Sequence, residues 1–96
     1  MAVRDAVRNF LIRHAMDDYT KYTEEELEVR RNTLEKGLML VLKPYLIRKE
    51  FPEIYSVLDE MILKVDHSIY DPRYAEKVKK TLARVLNWCH AWEKLW

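Results

Sequence analysis

A single glycine in 96 residues leaves little room for the tight turns and bulges of a sheet protein. It also excludes a glycine-rich loop that cradles phosphate. Three prolines add few breaks, so the chain reads as helices with short connections. One cysteine, Cys89, rules out an internal disulfide and fits a reducing compartment, which points to a cytoplasmic protein. Glutamine is missing, and asparagine occurs only at Asn9, Asn32 and Asn87. With Glu, Lys and Arg abundant, that scarcity of thermolabile amides leans toward a thermophile. No apolar run approaches the length of a bilayer span, so no membrane contact is expected. The first residues lack the charged-then-apolar pattern of a secretory leader, and none is expected. Repeats, low-complexity segments and convincing strand alternation are also missing.

What is present is a folding composition: 49% apolar and 34% charged, with a formal net charge of +1. That charge forces neither a nucleic-acid nor an acidic partner. The expectation is one helical domain over residues 1–96. A chain this short buries a modest core and gains from self-association.

Residues 37–47, Gly-Leu-Met-Leu-Val-Leu-Lys-Pro-Tyr-Leu-Ile, form the organising stretch. The apolar run 38–42 leaves no polar face on its turn of helix, and such a helix is normally covered all round. Gly37 sits where a missing side chain lets a neighbour come close. Pro44 removes a backbone donor, so the helix is expected to kink or end near it.

The remaining elements follow in order. Residues 2–19 read as a first helix, with Val3, Val7, Phe10, Leu11 and His14 on one face. Ile12, Met16 and Tyr19 make a second, narrower stripe suited to a neighbour or a partner subunit. Thr23 followed by Glu26 is a capping box, and Glu24, Glu25 and Glu26 suit the positive end of a second helix. Leu27, Leu34, Leu38, Val41, Leu42 and Tyr45 continue its buried face, while Arg30, Arg31, Glu35 and Lys36 are expected to keep its first half partly solvated. Phe51-Pro52 opens a third helix with proline in its first turn. Ile54, Leu58, Met61, Ile62 and Val65 form its stripe, with Leu63 opposite. Residues 66–71 read as a loop, and Asp71-Pro72 caps a fourth helix that continues to the last residues. Its apolar face is Tyr74, Val78, Leu82, Val85, Cys89, Trp92 and Trp96.

Arg73, Lys77, Lys80 and Arg84 fall within about 60° on that last helix, at about 100° per residue. Such a row can follow a phosphate backbone of RNA or DNA, with Trp88 beside it to stack on a base. The plainer reading is a solvated face, or one paired with the acidic segment 24–28. Trp88, Trp92 and Trp96 recur every four residues, and a terminal turn rarely buries three indoles. They read as a docking surface, with one or two reaching the core. The histidines are scattered, so no metal or cofactor is expected. Cys89 lies on an apolar face, where a thiol stays neutral.

Arg8 and His14, and again Arg84 and His90, stand at an Arg-x5-His spacing. This resembles the motif of the HEPN ribonucleases, small all-helical proteins in which paired subunits cleave RNA. In that family a polar residue usually follows the arginine, as Asn9 does and Val85 does not. Its motif usually lies late in the domain, as Arg84 and His90 do. The resemblance covers seven residues at each site. It implies that Arg84 steadies the scissile phosphate and that His90 orients or deprotonates the attacking hydroxyl.

The expected fold is all-α, a four-helix bundle or orthogonal helical array with the second helix central. The leading functional expectation is a protein–protein interaction or assembly module without catalysis of its own. It would work as a homodimer or as a small subunit of a larger complex, with Ile12, Met16, Tyr19, Trp88, Trp92 and Trp96 at the interface. A nucleic-acid-binding subunit using the basic row is the second expectation, and the ribonuclease with Arg84 and His90 the third.

Overall fold

The computed structural model describes residues 2–15, 21–69 and 71–95, with the side chains of 15, 67 and 68 outside that description. Four helices account for them: α1 (Val3–Ala15), α2 (Glu24–Ile47), α3 (Phe51–Ser68) and α4 (Pro72–Glu93). Among the described residues there is no strand. The molecule measures 43 × 22 × 19 Å. Its long axis is about what the 24 residues of α2 and their caps span at roughly 1.5 Å per residue.

The helix starts are chemical. The Thr23 hydroxyl accepts from the Glu26 amide at 3.2 Å and the Glu26 carboxylate accepts from the Thr23 amide at 3.0 Å, closing the capping box of α2. Asp71 caps α4 by accepting from the Arg73 amide at 2.9 Å. Pro52 sits in the first turn of α3, where its missing donor costs nothing. That helix runs on through Asp66 to Ser68, so the loop expected over 66–71 is shorter than its polar sequence suggested. Ile69 is buried and its amide bonds the Val65 carbonyl at 3.0 Å, which anchors the extra turn.

α2 passes Pro44 and ends one turn later at Ile47. The Glu50 amide bonds the Tyr45 carbonyl and the Lys49 amide bonds that of Leu46, both at 3.0 Å. This is a Schellman cap. Its left-handed position is taken by Lys49, at φ 59°, where glycine is the usual choice. The chain's one glycine is spent elsewhere. A Cβ on Gly37 would lie 2.5 Å from the tip of the Phe10 ring, so α1 packs its aromatic side chain directly onto the α2 backbone.

The helices form a ring in the order α1, α2, α4, α3. α2 and α3 touch each other across one diagonal, although less than ring neighbours do, and α1 and α4 do not meet. α2 therefore contacts all three other helices, as a central element should. Its buried face holds Leu27, Leu34, Leu38, Leu42, Tyr45 and Leu46. It is not enclosed, however. Leu40 is 69% exposed, because three neighbours around one side leave the far side open. Arg31, expected on a solvated face, is only 8% exposed. No described helix is long and apolar enough to cross a membrane.

Two predictions follow from the glycine placement. Gly37→Leu should lower the urea-unfolding free energy by roughly 1–3 kcal/mol through overpacking. Most of that loss should disappear in a Phe10→Ala background, and an equal penalty in both backgrounds would show that the close approach is not the cause. Lys49→Gly should raise stability by about 1 kcal/mol by relieving the left-handed backbone, read from the same denaturation curves.

Candidate functional site

The basic row of α4 lies along the seam with α2. Lys77 Nζ is 3.0 Å from Glu28 and 3.5 Å from Glu24. Arg73 is 3.6 Å from Glu24 and 2.9 Å from its own cap Asp71, and it also donates to the Tyr22 carbonyl at 3.0 Å. Arg84 is 3.3 Å from Glu35. Between these pairs, Arg31 of α2 donates to Glu28 at 2.9 Å, to Glu35 at 3.1 Å and to the buried Thr81 hydroxyl at 3.1 Å. Burial works against the charge of Arg31, but its hydrogen bonds to Glu28 and Glu35 outweigh that and raise its pKa. The partners rise together along both chains, so α2 and α4 run parallel. Of the four cations expected to face a phosphate backbone, only Lys80 has no carboxylate partner among the described residues. Arg73, Lys77 and Arg84 thus line the polar edge of a helix seam, paired with Glu24, Glu28 and Glu35 of α2.

Above Glu35 and Arg84 the same register brings Met39 level with Trp88 and Lys43 level with Trp92. Both tryptophans are half-buried against the core, with ring centroids 5.8 Å apart and tilted by 56°. Trp92 Nε1 is buried and meets no acceptor among the described residues. These two indoles thus take part in the fold. Trp96, Met16 and Tyr19 lie outside the described residues. Ile12 is 48% exposed on α1.

Arg84 and His90 diverge. Six residues apart on a helix they point about 120° from one another: Arg84 reaches toward α2, whereas His90 stacks on Tyr55 of α3 at 4.0 Å. Burial, then the hydrogen bond to Glu93 at 2.9 Å, pushes the Tyr55 hydroxyl up to about 12. Cys89 is buried and its thiol is pushed up to about 11 by burial alone, so it stays protonated and unreactive at neutral pH. No group of three or more His, Cys, Asp or Glu at metal-binding distance occurs among the described residues.

What the sequence reading missed is the outer face of α2. Val29, Thr33, Lys36, Leu40, Lys43 and Ile47 follow one another in steps of four and three residues. That is the a/d spacing of a helix-pairing seam. Val29 is 66% exposed and Ile47 57%, flanking the open Leu40. Lys36 and Lys43 stand between these apolar positions on the same face. The spacing was readable, but the run 38–42 suggested burial on every side and hid it.

The chain matches no family model, no curated protein and no solved structure.

The seam titrates. The hydrogen bond from Lys77, then that from Arg31, holds the Glu28 carboxyl below its usual range, and the Arg73 side chain does the same for Asp71. A depressed folded pKa adds stability above the ordinary carboxylate value of about 4 and loses it as pH falls through the lower folded value. The urea midpoint should therefore drop as the solution is acidified below about pH 5. In Lys77→Met the acid limb should be shallower, and an unchanged limb would remove the seam as its source.

Proposed function

We propose that the protein is a non-catalytic helical assembly module that pairs with a second copy of itself through the outer face of α2. The observation that carries this reading is the open seam of Val29, Leu40 and Ile47 at helix-pairing spacing. Single exposed apolar residues are ordinary on a protein surface; these three share one helix face, with Thr33, Lys36 and Lys43 between them.

Charge selects the orientation. Parallel pairing would set Lys36 against Lys36 and Lys43 against Lys43. Antiparallel pairing about a two-fold axis near residue 38 instead separates the like lysines, setting Lys43 against Thr33 of the second copy. In that register Val29 meets Ile47 of the second copy, and Leu40 lies on the aliphatic stem of Lys36, a stem well suited to covering apolar surface. The interface is isologous, as expected for a homodimer. One helix face against another sits at the small end of specific interfaces, so the dissociation constant should be on the order of micromolar. The divergence of Arg84 and His90 and the neutral Cys89 favour a binding role over a catalytic one.

Sedimentation equilibrium over a concentration series should show a monomer–dimer equilibrium. Leu40→Glu and Ile47→Glu should each shift the protein to monomer without loss of helical circular dichroism, because both positions are exposed in the single chain. A wild-type protein that stays monomeric at millimolar concentration, or a Leu40→Glu variant with wild-type association, would exclude this face.

A further inference from the structure

The diagonal on which α1 and α4 do not meet leaves a cavity of about 200 Å³. Its floor is Leu34, Tyr74 and Val78, all fully buried, and Leu11, Met61 and Val65 form its sides. The mouth is polar. Arg4 and Lys64 both reach Glu60, at 2.6 and 2.7 Å, and Arg8 stands on the same rim without a carboxylate partner among the described residues. Among the described residues the lining thus carries three cations, one carboxylate and His14 around a mostly apolar interior.

The geometry points to a binding site for a small anionic amphiphile, a medium-chain monocarboxylate whose hydrocarbon fills the gap between α1 and α4 and whose carboxylate sits against Arg8. A dry apolar cavity of about 150 Å³ accepts benzene, so this space takes a slightly larger body, of the size of a short alkyl chain or a ring with a short arm. Small-molecule sites have this division of labour, with apolar walls giving affinity and a few polar groups at the entrance fixing orientation. A carboxylate head matches the guanidinium of Arg8 in a two-pronged hydrogen bond. A second carboxylate on the ligand would meet Glu60. This site is separate from the outer face of α2, and occupancy does not depend on pairing.

The test is titration of the full chain with octanoate, octanol and octylamine, followed by the methyl resonances of Leu11, Val65 and Val78. Octanoate should shift these methyls saturably and bind at least about tenfold more tightly than octanol, the worth of one charge-assisted hydrogen bond. Arg8→Glu, an exposed position, should erase that preference while leaving octanol binding in place. Ile12→Trp, half-exposed at the mouth, should block both ligands with helical content and thermal midpoint unchanged. Leu40→Glu should bind octanoate like the wild type, which separates this site from self-association. Equal affinity for octanoate and octanol, tighter binding of octylamine, shifts confined to other surfaces, or an Arg8→Glu variant that keeps the preference would each overturn the assignment.

Discussion

The parallel seam between α2 and α4 fixes where every other helix can go. Parallel neighbours align their dipoles, so both positive ends lie together. α4 adds to that burden, because its first turn carries Arg73 and no acidic residue, with Lys77 in the turn that follows. The acidic start of α2 answers both problems at once. Glu24 and Glu28 face the cations of α4 while Glu24, Glu25 and Glu26 suit the dipole of α2 itself. Arg31 closes the seam from within by joining Glu28 and Glu35 to Thr81. With α2 and α4 held side by side, α1 can pack on α2 and α3 on α4, but α1 and α4 are left on opposite corners.

Much of this arrangement is written locally. The Thr23–Glu26 box, the Asp71 cap and Pro52 in a first turn mark three helix starts by short-range chemistry, and each is found where its sequence places it. Gly37 is also legible: a lone glycine inside a helix implies a close neighbour, and the Phe10 ring supplies it. The rest depends on register between distant elements. A row such as Arg73, Lys77, Lys80 and Arg84 has the same spacing whether it faces phosphate or a facing row of carboxylates. Only the parallel alignment of α2, some fifty residues away, places carboxylates beside three of the row's cations. Arg31 shows the same limit. Its heptad position is compatible with a solvated edge, and its burial follows from the approach of Thr81.

Leu40 illustrates a different limit. Periodicity reports the direction of an apolar stripe but not how many neighbours are available to cover it. With an apolar run of five residues, α2 asks for cover on all sides, and a four-helix ring supplies it on one side and two flanks. The uncovered side is then a property of the helix count. It is also the side on which the heptad steps fall, which is why the same segment can build the core and offer a surface.

The empty corner between α1 and α4 has an energetic consequence. At roughly 24 cal/mol per Å³, an enclosed void the size of this cavity would cost about 5 kcal/mol, close to the whole stability of a small domain. The cavity opens between Arg4, Arg8 and Lys64, so water at the mouth reduces that cost without removing it from the apolar floor. The described residues around the opening include three cations and one carboxylate. A ligand with an apolar body and an anionic head unites the two observations, and its burial would recover part of the stability that the diagonal arrangement gives up.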